Sequence, residues 1–142
     1  MQTSKIILTY VVSVPVFFVL DMIWLGVIAN GFYRRSLEPL LKPDMNWAAG
    51  LAFYFLFLSG VLLFALIPGM ERRSLGYTAG MAAVFGFIAY ATYDLTNLAT
   101  LRNWPAMLSI VDMIWGSVLS ALTAAITYLI MNRAWPMQTG PS

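Results

Sequence analysis

Four long blocks of nearly unbroken apolar residues alternate along the chain with short polar joints. The blocks cover residues 6–28, 47–67, 75–98 and 105–130. A helix that crosses a bilayer needs about 20 apolar residues, so each block predicts one transmembrane helix. The joints, residues 30–46, 68–74 and 99–104, are short, which makes consecutive helices antiparallel neighbours. The expected fold is all-α: a polytopic membrane protein, one domain over residues 1–142, folded as a four-helix bundle.

Punctuation residues agree with these spans. Pro15 is expected to bend the first helix, because it removes a backbone donor and presses on the preceding turn. Pro39 and Pro43 break the first joint, and Pro68-Gly69 is expected to close the second helix. Asn103-Trp104-Pro105 reads as the start of the fourth, with Pro105 in its first turn. Trp47, Trp104, Trp135, Tyr33 and Tyr77 fall near predicted helix ends, where aromatic belts sit. The tail after Met137 carries no structural signal. Lys5 ahead of an apolar run has the look of a signal peptide, with Val27-Ile28-Ala29 as a cleavage site. The run is longer than a signal-peptide core and Asp21 interrupts it, so an uncleaved span is expected.

Composition supports the membrane reading. The 142 residues are 61% hydrophobic and 10% charged, with mean hydropathy +0.79, against about 45–50% and about 25% in a soluble domain. The net charge of +2 is small and scattered, which suits lipid headgroups and gives no footprint for nucleic acid. The chain has no cysteine and no histidine. Disulfides and thiol chemistry are excluded, zinc and haem are not expected as cofactors, and proton chemistry falls to Asp, Glu or Tyr.

Orientation is finely balanced. Lys5, Arg72, Arg73 and Arg133 lie on one side, and Arg34, Arg35, Lys42 and Arg102 on the other. The first side gains the amino terminus and carries Glu71, while the second carries Glu38 and Asp44. This leans the expectation toward both termini in the cytoplasm, and the tie in Lys and Arg also admits dual topology.

The acids carry the functional signal. Asp21, Asp94 and Asp112 lie inside predicted spans, whereas every basic residue lies in a joint or at a helix end. At about 1.5 Å per residue, Asp21 falls roughly 6 Å past the middle of its helix, Asp94 roughly 10 Å past, and Asp112 roughly 9 Å before. Because the fourth helix runs back against the first and third, all three acids share one half of the membrane. Tyr54 falls at the same depth. All four helices thus contribute to one layer: Asp21 with Trp24, Tyr54, Tyr90 with Asp94 and Asn97, and Asp112 with Trp115. Asp94 is expected at the centre of a polar pocket, held by Asn97 and Tyr90 on its own helix face. An acid facing lipid costs roughly 2.5–3.5 kcal/mol near the bilayer centre, so the three are expected to turn inward. Three carboxylates without an internal Lys or Arg cannot all stay ionised cheaply, so the layer is expected to hold a proton or a cation. Arg102 is the one base placed to reach in. The donor set would suit a hard metal ion but does not call for one.

The alternative for these residues is interhelical glue without a ligand. Trp24 and Trp115 read equally well as interfacial anchors, and Tyr54 as packing. Gly76-x-x-x-Gly80 and the ladder Gly116, Ser120, Ala124 read as close helix contacts, inside the bundle or between copies of a homodimer. There is also an internal echo: Asp21-Met22-Ile23-Trp24 recurs as Asp112-Met113-Ile114-Trp115, each followed closely by glycine.

The pattern Asp21-x-x-Trp24-Leu25-Gly26, Phe32-Tyr33, Tyr90-x-Thr92-Tyr93-Asp94-Leu95-Thr96-Asn97, Trp104-Pro105 and Asp112-x-x-Trp115-Gly116 resembles a family of small bacterial inner-membrane proteins classed as a domain of unknown function. The resemblance covers nearly the whole chain and implies four helices and a bacterial inner-membrane location. The expected function is binding of a cation, a proton-coupled solute or a lipid-derived small molecule in an acidic, aromatic-lined pocket. A second reading is a proton-coupled exporter of hydrophobic cations, since the size and balanced charge are similar to the small multidrug-resistance transporters. Those rely on a glutamate in the first helix, where this chain has Asp21. A third is an accessory protein or enzyme of membrane-lipid modification. Membrane lipids are the expected partners.

Overall fold

In the computed structural model, residues 1–136 are described, and the expectation for the tail beyond Met137 lies outside them. The described chain is helical throughout, without a strand. Four helices are long and apolar enough to cross a membrane: α1 (Thr3–Ile28), α3 (Trp47–Glu71), α4 (Leu75–Thr100) and α5 (Ala106–Ala134). They hold 26, 25, 26 and 29 residues, or about 38–44 Å at about 1.5 Å per residue, more than the roughly 30 Å of a hydrocarbon core. The first joint is not irregular. It folds into a short helix, α2 (Asn30–Leu37), followed by a 3₁₀ turn at Glu38–Leu40.

Local chemistry sets the ends. The Asn46 side chain accepts from Ala49 N–H at 3.1 Å and Ser74 from Tyr77 N–H at 3.1 Å, capping α3 and α4. Pro105 stands just outside α5 as its N-cap residue, after Asn103 at φ 58°. α1 is helical through Pro15. The break expected at Pro68-Gly69 does not occur, and α3 continues to Glu71. A π turn at Leu62–Leu66 directly precedes Pro68. Its wider path relieves the turn on which the proline ring would press, so the helix goes on.

The tightest pairing is α4 on α5, with α1 packed on α5 and the π turn of α3 packed on α4. The α1 and α3 backbones come close at few points, and aromatic side chains bridge them, Phe17 and Phe18 meeting Tyr54 and Phe57. The close pairing rests on small residues. A Cβ on Gly86 would collide with the Gly116 carbonyl and the Ser120 side chain, and one on Gly116 would collide with the Tyr90 ring. Gly116 and Ser120 therefore act as the sequence pattern suggests. Gly76 and Gly80 make no such contact inside the bundle, since a Cβ at either would meet nothing within the chain. The core gathers Phe17, Phe57, Leu58, Val61, Leu66 and Leu119, all buried. Val11, Val19, Leu56, Ile88 and Ile114 stay exposed around the outside, as lipid contact demands. Inside lipid, close packing rather than water exclusion holds such helices together.

Candidate binding site

A cavity of about 570 Å³ lies among the helices at the end of the bundle nearest α2. Every helix contributes to its wall: Asp21, Trp24 and Leu25 from α1, Tyr33 from α2, Gly50, Phe53 and Tyr54 from α3, Tyr90 and Tyr93 from α4, Asp112 and Trp115 from α5. Among the described residues two carboxylates line it, and no Lys or Arg does.

The two Asp-x-x-Trp copies meet each other. The Trp24 and Trp115 rings stack at 4.4 Å with 8° between planes. Trp115 Nε1–H donates across the motifs to Asp21 Oδ1 at 3.3 Å, and Tyr54 O–H donates to Asp21 Oδ2 at 3.3 Å. Asp21 is 4% exposed, so these donors replace the water it has lost. Asp112 is served from α2: Tyr33 O–H donates to its Oδ1 at 2.8 Å. The Trp24 ring lies edge-on to Tyr33, whose hydroxyl it neighbours. What looked like a chance echo in the sequence is a spatial contact, one motif's acid bound to the other's tryptophan.

Tyr33 departs from the belt position expected of it. A π turn at Trp24–Ile28 ends α1, and α2 starts at Asn30, so the chain folds back and lays Tyr33 over the cavity. Burial, reinforced by the neighbouring Asp112 carboxylate, pushes the Tyr33 hydroxyl well above its ordinary range. It remains a donor at any physiological pH. The signal in the sequence was its place in the Phe32-Tyr33 pair. Phe53, in an apolar run, gave none, and Tyr93 stood in the Tyr90–Asn97 block without being singled out for the wall.

Asp94 is not at the centre. It is fully buried and does not line the cavity. Its acidic partner is Asp112, carboxyl against carboxyl, and among the described residues no N–H and no tyrosine, serine or threonine hydroxyl donates to it. Tyr90 does not hold it: the ring is fixed against Gly116 and Phe57, and its electrostatic neighbours are Asp21 and Asp112. Asn97 sits by Tyr93 and is outside the wall. Asp112 is an acidic neighbour of both Asp21 and Asp94. Among the described residues no three acids converge as a metal-ion site. Arg102 is exposed and does not reach the cavity. Trp104, expected in a belt, donates from Nε1 to Ser109 Oγ at 2.9 Å, and Ser109 bonds the Asp94 carbonyl at 3.3 Å, bracing the α4–α5 turn behind the acids.

Compared with known proteins, residues 6–129 match the model of a family described as predicted membrane protein (DUF2177). No curated protein and no solved structure matches the chain.

Proposed function

Because the chain belongs to the predicted membrane protein family DUF2177, a family of unknown function, we propose its role from the cavity's own chemistry: it binds a small organic cation, an amine or quaternary ammonium with an apolar body. The observation that carries this is the wall itself, two carboxylates among seven aromatic rings and, among the described residues, no basic group. A cation over a tryptophan or tyrosine face gains about 0.5–2 kcal/mol, more as water is excluded. Asp112 supplies the charge. Its Oδ1 accepts from Tyr33, and its carboxylate lies in the cavity wall, where a cation can meet it. Asp21 is held by two donors and shapes the floor. An anion would meet uncompensated repulsion. A neutral apolar ligand would leave the carboxylate desolvated and unpaired, which is costly.

A second reading, export of the cation against protons, draws on one further feature. Asp94 lies buried beside Asp112, carboxyl against carboxyl, so a carboxyl pair stands directly behind the cavity. Such a pair is a place where proton and cation can compete.

The test is a tryptophan-fluorescence titration of the detergent-purified chain, with the Trp24–Trp115 stack as reporter. Tetraethylammonium and tetraphenylphosphonium are the cationic probes, and a neutral probe of matched shape is the control. Saturable quenching by the cations alone is expected. Equal response to the neutral probe would refute the proposal. Proteoliposomes with an imposed pH gradient separate the readings: gradient-driven cation movement supports export, and binding without movement supports a binding role.

A further inference from the structure

The acidic cavity opens sideways, between α3 and α4. Gly50, Phe53, Tyr54 and Phe57 follow one another at helical spacing on one face of α3. Along that face toward α2, packing gives way. Phe57 is buried and meets Tyr90 edge-on at 5.8 Å, which closes α3 against α4. One turn further on, the wall residues of the same two helices are Phe53 and Tyr93, and they are 49% and 58% exposed. Beyond them Gly50 is exposed, and a Cβ on it would meet nothing within 4 Å. The α3 backbone keeps close to α4 mainly from its π turn onward, so the first turns of α3 leave a window in the cavity wall. Its posts are held in place. The Phe53 ring lies 5.6 Å from Tyr54, and Tyr93 meets Trp104 edge-on at 5.9 Å.

Helical rise gives the level of the window. Phe53 stands six residues after Trp47, the start of α3, and Tyr93 seven before Thr100, the end of α4. The two rings therefore lie about 9 and about 10 Å in from the helix ends. These spans overhang a roughly 30 Å hydrocarbon core by about 4 Å at each end, which puts the window about 5 Å below the edge of the acyl layer. It faces lipid tails and not water. Pro136, the last described residue, belongs to the opposite end of the bundle, beside Lys5.

We infer that the ligand of this cavity is a single-chain cationic amphiphile, a long alkyl amine or alkyl quaternary ammonium. Its head sits by Asp112, and its chain leaves between Phe53 and Tyr93 into the leaflet. This rests on the cation reading of the cavity and adds the form of the ligand and its route of entry. Charge complementarity selects the head, as two carboxylates face it. A volume of about 570 Å³ holds a head and the first part of a chain. Below the cavity the buried core of Phe17, Phe57 and Leu58 closes the bundle, so a longer chain has its exit at the side. There it stays in hydrocarbon, and no apolar surface is returned to water. A phospholipid fits less well, because its phosphate would meet Asp21 and Asp112 with no Lys or Arg among the described wall residues.

The experiment uses the full chain purified in maltoside detergent, read by quenching of the Trp24–Trp115 pair. The probes are tetraethylammonium, dodecyltrimethylammonium and dodecanol, the last with the same chain and no charge. Gly50→Phe sets a ring in the window from an exposed position with open space around it. Val84→Phe, exposed on α4 and outside the cavity, is the control. Detergent takes up each probe equally for every variant, so ratios to wild type report the protein alone. Gly50→Phe is expected to weaken dodecyltrimethylammonium about tenfold or more and tetraethylammonium less than about twofold. Val84→Phe should change neither, and equimolar dodecanol should not displace dodecyltrimethylammonium. Unchanged dodecyltrimethylammonium binding in Gly50→Phe, an equal loss of both cations, or displacement by dodecanol overturns the inference and leaves cation binding standing. If neither cation binds the wild-type chain, the cation reading falls and this inference falls with it. If Gly50→Phe does not fold, Gly50→Leu decides: a selective loss of about threefold or more for dodecyltrimethylammonium supports the window, and no selective loss overturns it.

Discussion

Asp112→Asn changes one charge in the cavity and almost nothing in shape. The amide keeps an acceptor for the Tyr33 hydroxyl, now 2.8 Å from Asp112 Oδ1. That bond falls from charge-assisted, about 1.5–3 kcal/mol, to neutral, about 0.5–1.5 kcal/mol, so a stability loss of about 1 kcal/mol is expected. The ligand loses more. A cation about 4 Å from a carboxylate gains about 4 kcal/mol at an effective dielectric constant near 20 and about 1 kcal/mol in water. The cavity is open on one side, so the true value lies between these limits, and each 1.4 kcal/mol is a factor of ten in affinity. The variant should therefore bind tetraphenylphosphonium about 10- to 100-fold more weakly, while the neutral probe binds as before. The two titrations are read by quenching of the Trp24–Trp115 pair, and circular dichroism checks that the variant is folded. Cation affinity that survives within a factor of two would show that the charge on Asp112 does not recruit the ligand. An equal loss for the neutral probe would show that the cavity had collapsed instead.

Gly116→Ala places a Cβ inside the Tyr90 ring, and overpacking of this kind costs about 1–3 kcal/mol. A lower Tm, recovered by also shortening Tyr90 to Leu, checks it. Gly80→Ala meets open space and removes a glycine from a helix, so Tm should hold or rise by the equivalent of up to about 1 kcal/mol. A fall in Tm together with a change in oligomeric mass by light scattering would show that a second copy uses that face. Tyr33 is held neutral by burial and Asp112, its hydroxyl raised above the ordinary value near 10. The stabilisation this tyrosine gives is fully present below about pH 10 and lost as pH rises beyond it. Tyr33→Phe should therefore flatten the alkaline loss of Tm measured between about pH 9 and 11.

Much of the architecture was legible in the residues alone. Runs of apolar side chains long enough to span hydrocarbon can satisfy their backbone only as helices, so the four spans follow from length and composition. The small-residue contact at Gly116 and Ser120 follows from spacing alone, whereas the caps at Asn46 and Ser74 show only in the structure. Depth was legible too, because helical rise converts residue number into height, and that places Asp21, Tyr54, Asp112 and Trp115 in one layer. What height cannot give is azimuth. The helices carry apolar residues all round, so no stripe shows which face turns inward. Asp94 at the right height could have been the centre of the cavity, and only packing against α5 sends it behind the wall. Tyr33 reaches the cavity because a π turn and a short helix reverse the chain after α1, a path written in no periodic pattern. The cavity wall draws on all five helices, with α1 set mainly against α5 and the far end of α3 against α4. That choice of neighbours is made by side chains fitting across helices, a property of pairs of surfaces that one strand of sequence does not display.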